Sequence, residues 1–129
     1  MPKKYNACMV FGIYDKIEDR HAALLEKANE LCDKLYVAVS SDQEVRAVTG
    51  KPATVPLHAR MRTVADFCRE SGIHARVVGE PAASPAAIAA RFCPNAYIVS
   101  QGQYRRFGSE LKRIIKDFDF NAAIEVVKV

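Results

Sequence analysis

The chain has 129 residues, 19 lysines and arginines against 15 aspartates and glutamates, a formal net charge of +4, and a hydrophobic half. That length suits one domain with one core, and that hydrophobicity excludes a disordered chain. The charge is too small to argue for nucleic acid but suits small anions such as nucleotides, and no apolar run is long enough to cross a bilayer.

In chain order, the basic start Met1-Pro2-Lys3-Lys4 leads into a short strand rather than a signal-peptide core. The first strand is predicted over Asn6 to Phe11 and ends in Gly12. After a polar turn, Leu24, Leu25, Ala28, Leu31 and Cys32 recur at helical spacing and predict a helix from Asp19 to Asp33. Glu18 or Asp19 would cap it. The run Leu35 to Ser40 reads as a strand buried on both faces, ended by Ser41-Asp42. The segment Gln43 to Pro56, broken by Gly50, Pro52 and Pro56, is expected to be a long loop carrying Arg46 and Lys51. A second helix is expected over Leu57 to Glu70, with Met61, Val64, Ala65 and Cys68 inward and Ser71-Gly72 as its stop.

Ala75 to Val78 is the third strand, Pro85 to Phe92 a short alanine-rich helix, and Ala96 to Ser100 the fourth strand. A turn is expected over Gln101 to Arg106, a helix over Gly108 to Asp117 with Leu111, Ile114 and Ile115 inward, and a last strand over Ala123 to Val127. The order βαβαβαβαβ with right-handed crossovers gives a single-domain, five-stranded, doubly wound parallel sheet of Rossmann-like type. The pattern alone leaves the strand order open, a flavodoxin-like order included. The four cysteines, Cys8, Cys32, Cys68 and Cys93, form no CxxC pair. They read as small buried hydrophobes in a reducing cytosol, so no metal ligands are assigned and a cytoplasmic location is expected.

The first strand-turn-helix unit also carries a motif. Gly12-x-Tyr14-Asp15, five further residues, then His21-x-x-Leu24-Leu25 resembles the G-x-F-D-x-x-H-x-G-H-x-x-L-L signature of the cytidylyltransferase-like nucleotidyltransferases. That superfamily includes glycerol-3-phosphate cytidylyltransferase and phosphopantetheine adenylyltransferase. Tyr14 stands for the Phe, Glu18 for the first His and Arg20 for the Gly. The resemblance implies the strand order 3-2-1-4-5 and a homodimer. It implies transfer of a nucleotidyl group from CTP or ATP to a phosphorylated small molecule, with release of pyrophosphate and with Mg²⁺ accompanying the nucleotide. It makes His21 and Lys51 the catalytic candidates, with Gly12, Tyr14, Asp15, Glu18, Arg20, Arg60, Gln101 and Arg105 at the nucleotide or substrate.

The chemistry behind these assignments is charge stabilisation without a covalent intermediate. His21 at a helix start donates to phosphate oxygens. Asp42, Lys51 and Arg60 resemble, in their spacing, the basic loop and following helix of the glycerol-3-phosphate cytidylyltransferase type, which implies that Lys51 approaches the phosphates and Arg60 the nucleotide or the substrate phosphate. Gln101 and Arg105 occupy the turn where cytidylyltransferases have acidic residues, and Arg105 and Arg106 add positive charge. Glu18 repels phosphate and instead suits Mg²⁺, whereas Arg20 either fills the space of a glycine with a guanidinium or contacts phosphate directly. The R-T-x-G-I-S-[ST]-[ST] segment of the family does not occur before Val129. Two functions follow: a small nucleotidyltransferase, or a catalytically degenerate relative acting as a nucleotide-binding regulatory or protein-interaction domain. No partner nucleic acid or membrane is expected.

Overall fold

The computed structural model describes residues 3–81, 83–117 and 121–129. Its elements are β1 (Tyr5–Gly12), α1 (Asp19–Leu31), β2 (Cys32–Val39), α2 (Asp42–Thr49), α3 (Leu57–Glu70), β3 (Ala75–Val78), α4 (Pro85–Phe92), β4 (Ala96–Ser100), α5 (Gln101–Asp117) and β5 (Ala123–Val127). The five strands pair in parallel in the order β3-β2-β1-β4-β5. Side chains alternate across the sheet. Cys8, Val10, Val37 and Val39 therefore face one layer, with Leu24 and Leu25 of α1 and Val64 and Cys68 of α3. Met9, Ala38, Tyr97 and Val99 face the other, with Ile88 and Ala89 of α4 and Leu111 and Ile114 of α5.

The register sets where a ligand fits. β1 and β2 run together to Gly12↔Val39. β1 and β4 pair only at Cys8↔Ala96 and Met9↔Tyr97, so they part before their carboxyl ends. This is the point at which the chain reverses its direction of winding, where open α/β sheets hold ligands. The Phe11 carbonyl, left without a strand partner there, accepts from Gln103 Nε2 at 3.0 Å.

Four expectations are corrected. The segment Gln43 to Pro56 is not all loop, because Asp42–Thr49 forms α2. Ser41 caps it by accepting from the Glu44 N–H at 3.0 Å, Gly50 ends it in the left-handed region at φ 76°, and Val45 is buried under it. Gln101 to Arg106 is not a turn but the start of α5. Ser100 Oγ accepts from the Gln103 N–H at 3.1 Å while Gln103 Oε1 accepts from the Ser100 N–H at 3.0 Å, a reciprocal cap that outweighs Gly102. Helix α1 ends at Leu31, and Cys32 and Asp33 already belong to β2. Cys93 is exposed, because it sits at the left-handed end of α4 with φ 43°, whereas the other three cysteines are buried as expected.

Candidate functional site

The turn from β1 to α1 is shaped by one contact. Tyr14 takes the left-handed conformation at φ 59°, which costs a non-glycine residue roughly 1–2 kcal/mol. In return its ring turns inward, only 3% exposed, and lies over Gly12. A Cβ on Gly12 would stand 2.4 Å from Tyr14 Cε2 and 2.5 Å from Cζ, so the glycine is required by the ring above it. The ring then meets the edge of the His21 imidazole at 5.5 Å between centroids. Asp15 is exposed at the tip of the turn.

His21 is the third residue of α1, and Glu18 is its N-cap. The Glu18 N–H donates to His21 Nδ1 at 3.0 Å, half of a capping box. A ring nitrogen that accepts carries no proton, so the neutral imidazole holds its proton on Nε2. Burial, helped by the Arg20 charge, lowers the His21 pKa below 6.5. His21 is therefore a neutral donor at pH 7, held from behind. The Glu18 carboxylate meets Arg20 Nη2 at 3.3 Å, with the Arg20 side chain 71% exposed.

Arg60 is placed differently from its expected role at a phosphate. It is 0% exposed. Its Nε donates to the Val55 carbonyl at 2.9 Å, Nη1 to Ile13 at 2.9 Å and to Ser40 at 2.7 Å, and Nη2 to Asp42 Oδ1 at 2.6 Å. The guanidinium lies within the protein beneath the turn rather than on its open side. The structure thus gathers Gly12, Tyr14, Glu18, Arg20 and His21 into one turn, with Arg60 bonded to it from below. Lys51 follows α2 and is exposed. Gln101 and Arg105 are exposed in the first turns of α5, next to the end of β4. Among the described residues, no hydrogen bond or ion pair ties the Lys51, Gln101 or Arg105 side chain to the turn.

Sequence reasoning missed two features. Gln103 bridges α5 to Phe11 across the parting of β1 and β4, and its signal was the Ser100-x-x-Gln103 capping pattern. A cleft of about 420 Å³ opens over the ends of β2 and β3, lined by Asp42, Gln43, Leu57, His58, Met61 and Gly79 among others. His58, in the first turn of α3, is part of that lining. Among the described residues no three His, Cys, Asp or Glu side chains converge to hold a metal ion. No helix among them is long and apolar enough to cross a membrane.

Comparison with known proteins bears on this site. A family model described as cytidylyltransferase-like matches residues 9–127. Phosphopantetheine adenylyltransferase from Thermococcus kodakarensis is 32% identical over 72 residues, 56% of this chain and 44% of that protein. The matched stretch thus spans less than half the length of that relative. Among solved structures, a lipopolysaccharide core biosynthesis protein from Thermoplasma volcanium superposes with a TM-score of 0.77 at 18% identity, covering 96% of this chain and 97% of that one. Pantoate-beta-alanine ligase from Francisella tularensis, solved with beta-gamma ATP and beta-alanine, superposes with a TM-score of 0.65 at 14% identity, covering 99% of this chain and 60% of that one. These two show the shared fold.

Proposed function

The chain belongs to the cytidylyltransferase-like family, and from that premise we propose that it binds a nucleoside triphosphate, CTP or ATP, where β1 and β4 part, and transfers its nucleotidyl group to a phosphorylated small molecule. An acceptor phosphate oxygen attacks the α-phosphorus, the bond to the β-phosphate breaks, and pyrophosphate leaves. The observation that carries this reading is His21. Its Nδ1 is engaged by the helix backbone, which leaves Nε2–H to donate to a phosphate oxygen beside the start of α1. That donor needs no reorganisation as charge builds up.

Lys51 and Arg105, both exposed, supply mobile positive charge from either side. The acceptor occupies the cleft of about 420 Å³ over β2 and β3, whose lining combines the apolar Leu57 and Met61 with the polar Asp42, Gln43 and His58. Mg²⁺ enters on the triphosphate, consistent with its habit of keeping waters and few protein ligands. Glu18 and Asp15 are the carboxylates of this turn that would reach it. A homodimer in the cytoplasm remains the proposed state, and light scattering that gives only the monomer mass at micromolar concentration refutes the dimer.

The test is calorimetry and thermal shift with CTP, ATP, GTP and UTP in the presence of Mg²⁺. A true ligand at a hundred times its Kd stabilises the fold by about 2.7 kcal/mol. His21→Ala is expected to abolish that shift, and an unchanged affinity in this variant refutes the site. A second reading, nucleotide binding without turnover, is favoured by Glu18, whose carboxylate stands where the family has a donor and pairs with Arg20. Losing one such donor typically costs about 2.7–4 kcal/mol of transition-state stabilisation. Glu18→His with Arg20→Gly then raises affinity and gains turnover, and weaker binding in that double variant rejects this reading.

A further inference from the structure

We infer that Arg60 is a positioning residue, which holds the β1–α1 turn in the shape that receives a phosphate, and that it acts without touching the phosphate itself. The part concerning the nucleotide rests on the function proposed above; the part concerning the turn does not.

The argument starts from the buried guanidinium. A fully buried cation is tolerated only when its donors are met. Four of the five Arg60 N–H groups are met, three of them by backbone carbonyls from three separate segments: Ile13, Ser40 and Val55. The fourth meets Asp42, so the charge is also paired. A phosphate contact would require Arg60 to release these partners from a position with no exposure.

The bond to Ile13 is the informative one. Ile13 and Tyr14 share a peptide unit, and no peptide among the described residues is cis. In a trans peptide the carbonyl and the N–H point in opposite directions. Drawing the Ile13 carbonyl down onto Arg60 therefore turns the Tyr14 N–H up, away from the core. That N–H has no acceptor among the described residues. The same rotation sets the left-handed Tyr14, at φ 59°, that stacks its ring over Gly12 and against His21. One guanidinium thus orients a free amide and, through the Tyr14 ring, the imidazole beside it. It also ties the end of β2 and the approach to α3 to the same point, joining the turn to Asp42 on the lip of the cleft. Lysine, a single point of charge on a flexible stem, does not span three carbonyls in a fork.

The experiment is NMR of the full chain with ¹⁵N-labelled backbone and arginine side chains, with and without MgCTP or MgATP. In the free wild type the Arg60 Nε–H is expected to exchange slowly. On adding nucleotide the Tyr14 and Asp15 amides move while the Arg60 Nε–H stays in place. In Arg60→Lys the same two amides move in the free protein, and nucleotide affinity falls about tenfold or more, equivalent to about 1.4 kcal/mol. Asp42→Asn keeps the bond to Ile13 and leaves the Tyr14 amide where it was. A fast-exchanging Arg60 Nε–H, a Tyr14 amide unmoved in Arg60→Lys, or an Arg60 resonance that shifts on nucleotide addition overturns the inference. Where Arg60→Lys does not fold, the two wild-type measurements decide the question alone. If neither nucleotide binds the wild type but Arg60→Lys still moves the amides, the positioning role stands and the nucleotide function falls.

Discussion

Gly12→Ala adds one methyl group at the centre of the site. An ideal Cβ there stands 2.4 Å from Tyr14 Cε2, where ordinary contact begins near 3.4 Å, so the ring must retreat by about 1 Å. It has little room, because the side chain is 3% exposed and the backbone is already left-handed. Overpacking of this kind typically costs about 1–3 kcal/mol. For a chain of this size each kcal/mol moves Tm by roughly 3–6 °C. Thermal unfolding followed by circular dichroism measures the loss, and nucleotide titration measures the consequence, since the displaced ring pushes on His21. The double variant Gly12→Ala/Tyr14→Ala separates this clash from general damage. With the ring gone, the added methyl is expected to cost almost nothing beyond Tyr14→Ala alone, a strongly non-additive cycle. Additive single effects, or a Gly12→Ala protein within about 0.5 kcal/mol of wild type, refute the stacking of Tyr14 on Gly12.

Other perturbations test the frame around this turn. Ser100→Ala removes the cap of α5 and is expected to cost about 1 kcal/mol in urea unfolding. Leu25→Ala opens a cavity under α1 at a residue with no exposure and is expected to cost about 2–5 kcal/mol in the same assay. Burial and the Arg20 charge hold the His21 pKa below 6.5, so the native state binds fewer protons than the unfolded chain between that lowered value and 6.5. Its contribution to stability is complete above 6.5 and is lost as the pH falls through that window. His21→Gln keeps a capping acceptor and flattens this part of the pH profile, whereas an unchanged profile refutes the assignment. Glu44 is shifted the other way, its pKa raised by burial and by Glu110. Glu44→Gln is therefore expected to raise Tm at pH 7, with the gain fading in acid as the carboxyl protonates.

The strands were legible as short apolar runs bounded by turn residues, and the helices between them as longer segments of helical period. Cys8, Val10, Val37 and Val39 against Met9, Ala38 and Tyr97 separate cleanly into two faces. Helix α2 and the first turns of α5, where expectation and structure differ, are short of buried residues rather than short of signals. Only Val45 of α2 is buried, so periodicity was silent, and the cap residues Ser41 and Gly50 were the whole message. At α5, the reciprocal Ser100-x-x-Gln103 cap starts the helix where a turn is expected from the sequence. Tyr14 and Gly12 were read as motif letters. Their reason, a ring folded back onto a missing Cβ, depends on a backbone angle that no pattern of residues prints.

The same limit applies to Arg60 and Arg20, both expected from the sequence at the nucleotide or substrate. Spacing places both near the strand ends, but burial decides what each guanidinium does. Arg60 is enclosed and meets carbonyls, so its charge is fixed and paired. Arg20 is 71% exposed, and its partner Glu18 is 47% exposed. An ion pair this open is worth at most about 1 kcal/mol, so Glu18 holds Arg20 only weakly. The departure at Glu18 removes an imidazole donor from the family pattern, while the departure at Arg20 supplies a guanidinium two residues away that can turn to the same anion. A donor moved to Arg20 predicts that Arg20→Ala weakens nucleotide binding, whereas a donor lost at Glu18 predicts that Arg20→Ala leaves it unchanged and Glu18→His strengthens it. That makes nucleotide affinity in Arg20→Ala, measured beside Glu18→His, the comparison that separates an altered site from a lost one.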